Sequence, residues 1–227
     1  MAKALAIETY VPTTLGKPTI LNQLNTGACF GFSAVQGIHI ARQATGAASE
    51  IPSPVIPYWM ARREVVATDA DITDSGSDPD SMIRALADFG ACPMASDPFL
   101  EAEVNTRPND VALLAAQRVK CELSPILATG ADLWEAIRHC IQIEQLPVLI
   151  ALEVVPSFDN AGADGIIDDP SGTSRGGHAN CIYGFDDFGA LDANSWSLDW
   201  AKGGTATLTP RFLAGAVTWA GALRVLP

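Results

Sequence analysis

Long apolar runs are missing from this chain of 227 residues; none reaches the roughly 18 that a bilayer-spanning helix needs. The opening Met1-Ala2-Lys3-Ala4-Leu5-Ala6 also lacks the apolar stretch of a signal peptide, so a cytoplasmic or assembly-associated location is expected. Basic residues are scarce: 14 Lys and Arg stand against 26 Asp and Glu, a net charge of −12. That balance argues against nucleic acid and against membrane surfaces as partners. No Cys/His spacing resembles a zinc site. Two acidic runs occur, Asp69, Asp71, Asp74, Asp78 and Asp80, then Asp159, Asp164, Asp168 and Asp169. Neither places a glycine and a terminal Glu as an EF-hand loop requires, so both read as solvated loops. No metal and no cofactor is expected. Repeats and low-complexity segments are absent.

The apolar fraction, 48%, is that of an ordinary globular protein, and the length fits one domain or two small lobes sharing a cleft. Residues 1–22, with Pro12 and Pro18, read as an extended segment. Apolar residues at helical spacing (Phe32, Val35, Ile38, Ile40) predict a helix from Cys29 to about Gln43, ended by Thr45-Gly46. Further helices are expected after Pro54, over Ser81 to Phe89, over Val111 to Gln117 and over Ala131 to Gln145. From Arg118 the pattern turns to strands: Arg118 to Leu123, Val148 to Val155, His178 to Phe185, Ala190 to Asn194 and Thr205 to Leu208.

Chemistry concentrates at three places. Thr26-Gly27-Ala28-Cys29-Phe30 puts a thiol at the head of a helix, where unpaired backbone N–H groups and the macrodipole favour a thiolate. Gln23 precedes it by six residues. Gly176-Gly177-His178-Ala179 supplies a base, and Asn194-Ser195-Trp196 a group to orient it. A thiol nucleophile needs a base, an orienting partner for that base, and donors for the developing oxyanion. The other two histidines, His39 and His139, fall inside predicted helices with no motif around them and read as packed or solvated.

The order Gln, Cys, His, Asn resembles that of the papain-like (C1) cysteine peptidases, whose signature is C-G-[SA]-C-[WY] with His and Asn roughly 130–150 residues on. Here Gly27-Ala28-Cys29 fits, Phe30 replaces the aromatic Trp or Tyr, and His178 and Asn194 lie 149 and 165 residues beyond Cys29. Leu146-Pro147-Val148, Tyr183-Gly184-Phe185-Asp186 and Trp200 also run in family order, so the resemblance spans about residues 10–215. It implies an α+β fold of two lobes: a helical N-terminal lobe, about 20–115, and an antiparallel β-barrel-like C-terminal lobe, about 116–215, with the active-site cleft between. The whole, 1–227, would be one peptidase domain.

By the same resemblance Cys29 is the nucleophile and His178 the base and acid. Asn194 holds the imidazole under Trp196, and Gln23 donates to the oxyanion with the Cys29 backbone N–H. Gly76, Ser77 and Pro79 correspond to the segment that pairs with an extended substrate. Ala151 and Gly177 correspond to walls of the pocket for the second residue before the cut. The implied partner is a peptide or protein substrate, cleaved through a thioester. Two other readings stay open: a catalytically weak papain-fold subunit of a larger assembly, and a related acyl transfer such as small-molecule amide hydrolysis or ligation.

The chain departs from the family in several places. Thr26 stands where secreted members have a disulfide cysteine, so that bridge cannot form. With Cys29 reserved, Cys92, Cys121, Cys140 and Cys181 allow three pairings, and free thiols are expected. Only 28 residues precede Cys29, too few for the usual inhibitory propeptide. Ser77, Ser197 and Ala201 replace glycines, and Thr205 replaces an aromatic.

Overall fold

A computed structural model of the chain describes residues 13–47 and 50–227; the expected N-terminal segment through Pro12 lies outside the described residues. The first strand, β1 (Thr13–Thr14), is followed by α1 (Cys29–Ala44), α2 (Val55–Arg63), α3 (Pro79–Asp88) and α4 (Asp110–Ala116). Strand β2 (Cys121–Pro125) opens the second half. Helix α5 (Ala131–His139) runs on through a π turn at Cys140–Glu144, and β3 (Val148–Glu153) and α6 (Pro156–Asp159) follow. The remaining elements are β4 (Ile166–Ile167), β5 (Gly177–Phe185), β6 (Ala190–Ala193), β7 (Thr205–Leu208), α7 (Pro210–Ala216) and β8 (Val217–Val225).

Helices dominate the first half and strands the second. The strands join in the order β2-β8-β3-β5-β6-β7-β4, with β1 added to the end of β5. Neighbours are antiparallel except β4 and β7. The path does not close on itself. β3 and β5 carry near-continuous apolar runs, because α1 covers one face of the sheet while other elements cover the second. α1 is buried along twelve consecutive residues, Phe30 to Ala41, which makes it the central helix of the core.

Two features at the C-terminus escape a period-based reading. α7 begins with Thr209, whose hydroxyl accepts from Phe212 N–H, and with Pro210 at the first helical position. β8 is nine residues long and pairs with both β2 and β3. Its middle, Ala220-Gly221-Ala222, has low strand propensity. Gly221 is required by packing: a Cβ there would lie 2.3 Å from the Trp219 indole. The strand predicted over Arg118 to Leu123 begins instead at Cys121, where pairing with Val225 starts. All five cysteines are free thiols, and only Cys29 among them is not buried.

Candidate active site

Cys29 is the first residue of α1. The residue before it, Ala28, offers no capping side chain, so the first amides of the helix stay open toward the cleft. His178 is the second residue of β5, and Asn194 directly follows β6. Because β5 and β6 are paired, the two side chains meet: Asn194 Oδ1 lies 2.8 Å from His178 Nε2. Asn194 Oδ1 also accepts from Ser195 N–H at 2.7 Å, which fixes the amide. Trp196 packs over the imidazole at 4.5 Å between centroids, and Phe158 packs against both rings, at 6.0 Å from the imidazole and 5.5 Å from Trp196. The hydrogen bond is thereby shielded from water.

Gln23 is tied in place from three sides. Its Oε1 accepts from Ser195 Oγ at 2.7 Å, its Nε2 donates to Thr26 O at 2.7 Å, and its backbone N–H donates to Ser195 O at 2.8 Å. One N–H of the side-chain amide remains uncommitted by these bonds. Ser195, Phe158 and Thr26 hold this arrangement, and sequence reasoning assigned none of them a role.

Cys29, His178, Gln23 and Trp196 line one cleft of about 1190 Å³, together with Gly76, Ser77, Pro79, Ala151 and Gly177. Asn194 sits behind His178, fully buried. Gly76 has φ +78°, a conformation that favours glycine, whereas Ser77 has none of that requirement. Ser77 therefore replaces a glycine without backbone strain. Ser197 and Ala201 differ: both keep positive φ, +70° and +45°, without being glycine.

The acidic run from Asp69 to Asp80 does more than face solvent. Asp74 accepts from Gly27 N–H at 2.9 and 3.1 Å and from Tyr58 Oη at 2.5 Å. Tyr58 Oη in turn accepts from Gly76 N–H at 3.1 Å. Asp78 caps α3 by accepting from Ser81 N–H at 2.9 Å. Short loop carboxylates find backbone donors here, a competition that composition does not reveal.

Electrostatics at the site differ from the expectation of a lowered thiol pKa. Cys29 is half-buried, and the desolvation this imposes pushes its thiol up, against the amides of Ala179, Phe30 and Cys29 itself, which favour the thiolate. Burial likewise pushes His178 down to about 4, outweighing the hydrogen bond that the ring donates to Asn194 Oδ1, while Arg175 adds a repulsive charge. Desolvation penalises both charged forms and so opposes a thiolate–imidazolium pair. Arg175 lies 5.0 Å above the Trp196 ring and is paired with Asp159 at 2.7 Å.

No protein-family model matches the chain, and no curated protein matches it. Solved structures do. The chain is similar to xylellain, a cysteine protease from Xylella fastidiosa, at 21% identity over 94% of this chain and 90% of that one, with a TM-score of 0.79. It is similar to the cysteine protease CMS1MS2 of Carica candamarcensis, solved in complex with E-64, at 21% identity over 92% of each chain and a TM-score of 0.67. The ragweed pollen cysteine protease Amb a 11, in its proform, matches at 17% identity over 98% of this chain and 67% of that chain, with a TM-score of 0.71. A helical half, a strand-rich half and these neighbours give the chain the α+β, two-lobe fold of the papain-like cysteine proteases.

Proposed function

We propose that the protein is a cysteine peptidase acting on peptide or protein substrates. The observation that carries this reading is the convergence of Cys29, at a helix start, and His178, bonded to Asn194 beneath Trp196, in one open cleft. In the reaction His178 takes the Cys29 Sγ proton as the sulfur attacks the scissile carbonyl carbon. The oxyanion is held by the Cys29 N–H and the free N–H of Gln23. Collapse breaks the C–N bond, His178 returns its proton to the leaving amine, and a thioester remains. Water, deprotonated by His178, then hydrolyses the thioester. Asn194 holds the ring through both half-reactions. Gly76, Ser77 and Pro79 form the wall along which an extended peptide would pair, and Ala151 and Gly177 leave room for its side chain.

One observation favours a second reading, a catalytically weak papain-fold subunit: desolvation disfavours both charged partners. Incubation with an epoxysuccinyl peptide, followed by mass spectrometry, separates the two. Selective alkylation of Cys29 with parallel loss of peptide hydrolysis is the expected result. The Cys29→Ala variant should fold as the parent does and lose hydrolysis by about 10⁴-fold or more. A chain that resists the reagent while folded would be a binding subunit.

A further inference from the structure

His178 sits near one end of the β3–β5 ladder, and the part of the cleft beyond it has no role in the reaction above. Ala151 pairs with Ala179, Leu152 with His178 and Glu153 with Gly177. Two further bonds carry the ladder on: Val154 N–H donates to Gly176 O at 2.9 Å, and Arg175 N–H donates to Val154 O at 3.0 Å. Ala151 and Arg175 both line the cleft, and His178 lies between them along the ladder. Ala151 belongs to the proposed pocket on the acyl side of the scissile bond. Arg175 therefore lies toward the other side, where the leaving amine takes its proton from His178.

The Arg175 side chain is fixed by two contacts. Its Nε and Nη2 donate to Asp159 Oδ2 and Oδ1 at 2.7 and 2.8 Å, and its Cζ lies 5.0 Å from the centroid of the Trp196 ring. Trp196 is itself tied to Asn22, the neighbour of Gln23, by an antiparallel bridge. A guanidinium carries five N–H donors in a rigid fork; Asp159 takes two, which leaves three uncommitted by these bonds. Arg175 lines the cleft, and Asp159 is not among the described residues that do. Arg175 is also the only lysine or arginine among the described residues that line it, and its side chain is 58% exposed. The space beside it is open: a Cβ at Gly176 or Gly177 would meet nothing within 4 Å.

We infer that Arg175 is the specificity-determining residue at the leaving-group end of the cleft, where it takes a carboxylate carried by the substrate segment after the cut. The inference rests on the peptidase reading, which fixes the acyl and leaving ends. A carboxylate accepts directed N–H bonds from a guanidinium, and Arg175 offers its unused donors from the cleft wall. Asp159 and Trp196 hold the long side chain before substrate arrives, so little freedom is lost on binding. Asp74 and Asp78, the carboxylates that do line the cleft, lie on the segment that carries Gly76, toward the acyl side. Two sources supply the carboxylate: an Asp or Glu side chain, or the C-terminus of the substrate itself. The first describes an endopeptidase with an acidic preference after the cut, the second an enzyme that trims chain ends.

Three peptides test this: N-acetylated Ala-Leu-Gly-Gln-Gln amide, the same peptide with Glu in place of both Gln, and the Gln peptide with a free C-terminal carboxylate. Leu stands second before the intended cut. Calorimetric titration into the Cys29→Ala protein, which cannot form a thioester, reads binding without turnover. At least one carboxylate peptide should bind about fivefold tighter than the neutral one, the size of an exposed ion pair. A gain with the Glu peptide assigns the site to acidic side chains, and a gain with the free-ended peptide alone assigns it to chain ends. Arg175→Met, added to Cys29→Ala, keeps an apolar stem over Trp196 and should bring the ratio to about one. Should that variant fail a thermal melt, Arg175→Gln carries the same expectation. Carboxylate peptides that bind no tighter than the neutral one overturn the inference, and so does a gain that survives loss of the guanidinium. A gain that depends on Arg175, in a parent that neither cleaves the peptides nor is alkylated by the epoxysuccinyl reagent, keeps the carboxylate site and sinks the peptidase reading alone.

Discussion

Asp74 and Gly27 tie together two loops of the helical half that line the cleft: both carboxylate oxygens accept the Gly27 amide, at 2.9 and 3.1 Å. Gly27 belongs to the loop that delivers Cys29, and Asp74 to the segment that carries Gly76. Tyr58 completes the tie by bonding Asp74 and Gly76 together. The Thr26 hydroxyl donates to Gln23 O at 2.6 Å in the same loop. These bonds form a non-covalent staple within the helical half.

Removing that staple should loosen the cleft. Asp74→Ala strands the Gly27 amide, yet the site is exposed, so a stability loss of about 1 kcal/mol is expected. For a chain of this size that is a fall of about 2–4 °C in Tm. Asp74→Asn keeps one acceptor and should lose less. KM should rise more than kcat falls, because Gly76 lines the cleft where the proposed peptide would pair. A calorimetric scan with steady-state kinetics on both variants measures this, and an unchanged KM would dissociate the staple from substrate binding.

The pH profile of kcat/KM should be broad. Thiol with imidazole, and thiolate with imidazolium, bind the same number of protons, so the limbs belong to the pair. The acid limb marks the proton that His178 gains at about 4, and the alkaline limb marks loss of the last proton above the ordinary thiol value. An acid limb centred near 6.5, the unperturbed histidine value, would contradict the burial argument.

Stability should respond to pH through His178 in a defined direction. Its folded pKa is lowered, so the unfolded chain binds the proton more readily in the interval between. The contribution is fully present above about pH 6.5 and is lost as pH falls toward about 4. Asp192 has the opposite sign: burial raises its pKa, and its contribution is lost as pH rises through that raised value. Asp192→Asn should therefore raise the melting temperature more at pH 9 than at pH 5. Equal effects at both values would mean Asp192 is ionised in the fold at no cost.

At the proposed subsite beside Ala151 and Gly177, which line the cleft, apolar side chains should be preferred. Val154, Ala61 and Val65 line the same cleft, and a buried methylene contributes about 0.8 kcal/mol. Two carboxylates also line it, but Asp74 is engaged by Gly27 and Tyr58, and Asp78 by Ser81. Leu, Val or Phe should exceed Arg and Lys in a positional-scanning peptide library. A clear preference for Arg would mean that one of those carboxylates leaves its partners for substrate.

Ala201→Gly should stabilise the protein. Ala201 holds φ +45°, where an L side chain costs about 1–2 kcal/mol, partly offset by the greater chain entropy of glycine. A net gain of about 0.5–1 kcal/mol is expected in chemical denaturation. A loss would place the burden on packing of the Ala201 methyl instead.

Much of the fold is legible in sequence where burial imposes a period. α1 is marked by Phe32, Val35, Ile38 and Ile40, and β3 by the run from Val148, because both are buried on nearly every side. β8 is not legible, since Ala220, Gly221 and Ala222 suit a strand only between β2 and β3. The short α6 is equally silent, although its Phe158 contacts His178, Trp196, Trp200 and Phe212.

By itself the sequence determined the candidate chemistry: Cys29 at a helix start, His178 after two glycines, Asn194 before Trp196, and Gln23 ahead of the thiol. These are identities and spacings, written in one dimension. The tertiary structure decided the rest. It set the direction of the Cys29 and His178 pKa shifts, because desolvation depends on what surrounds a group rather than on its neighbours in the chain. It turned Asp74 from a loop charge into a tie, and it set Arg175 over the Trp196 ring. Such relationships arise where residues far apart in the chain share one small volume from which water is excluded.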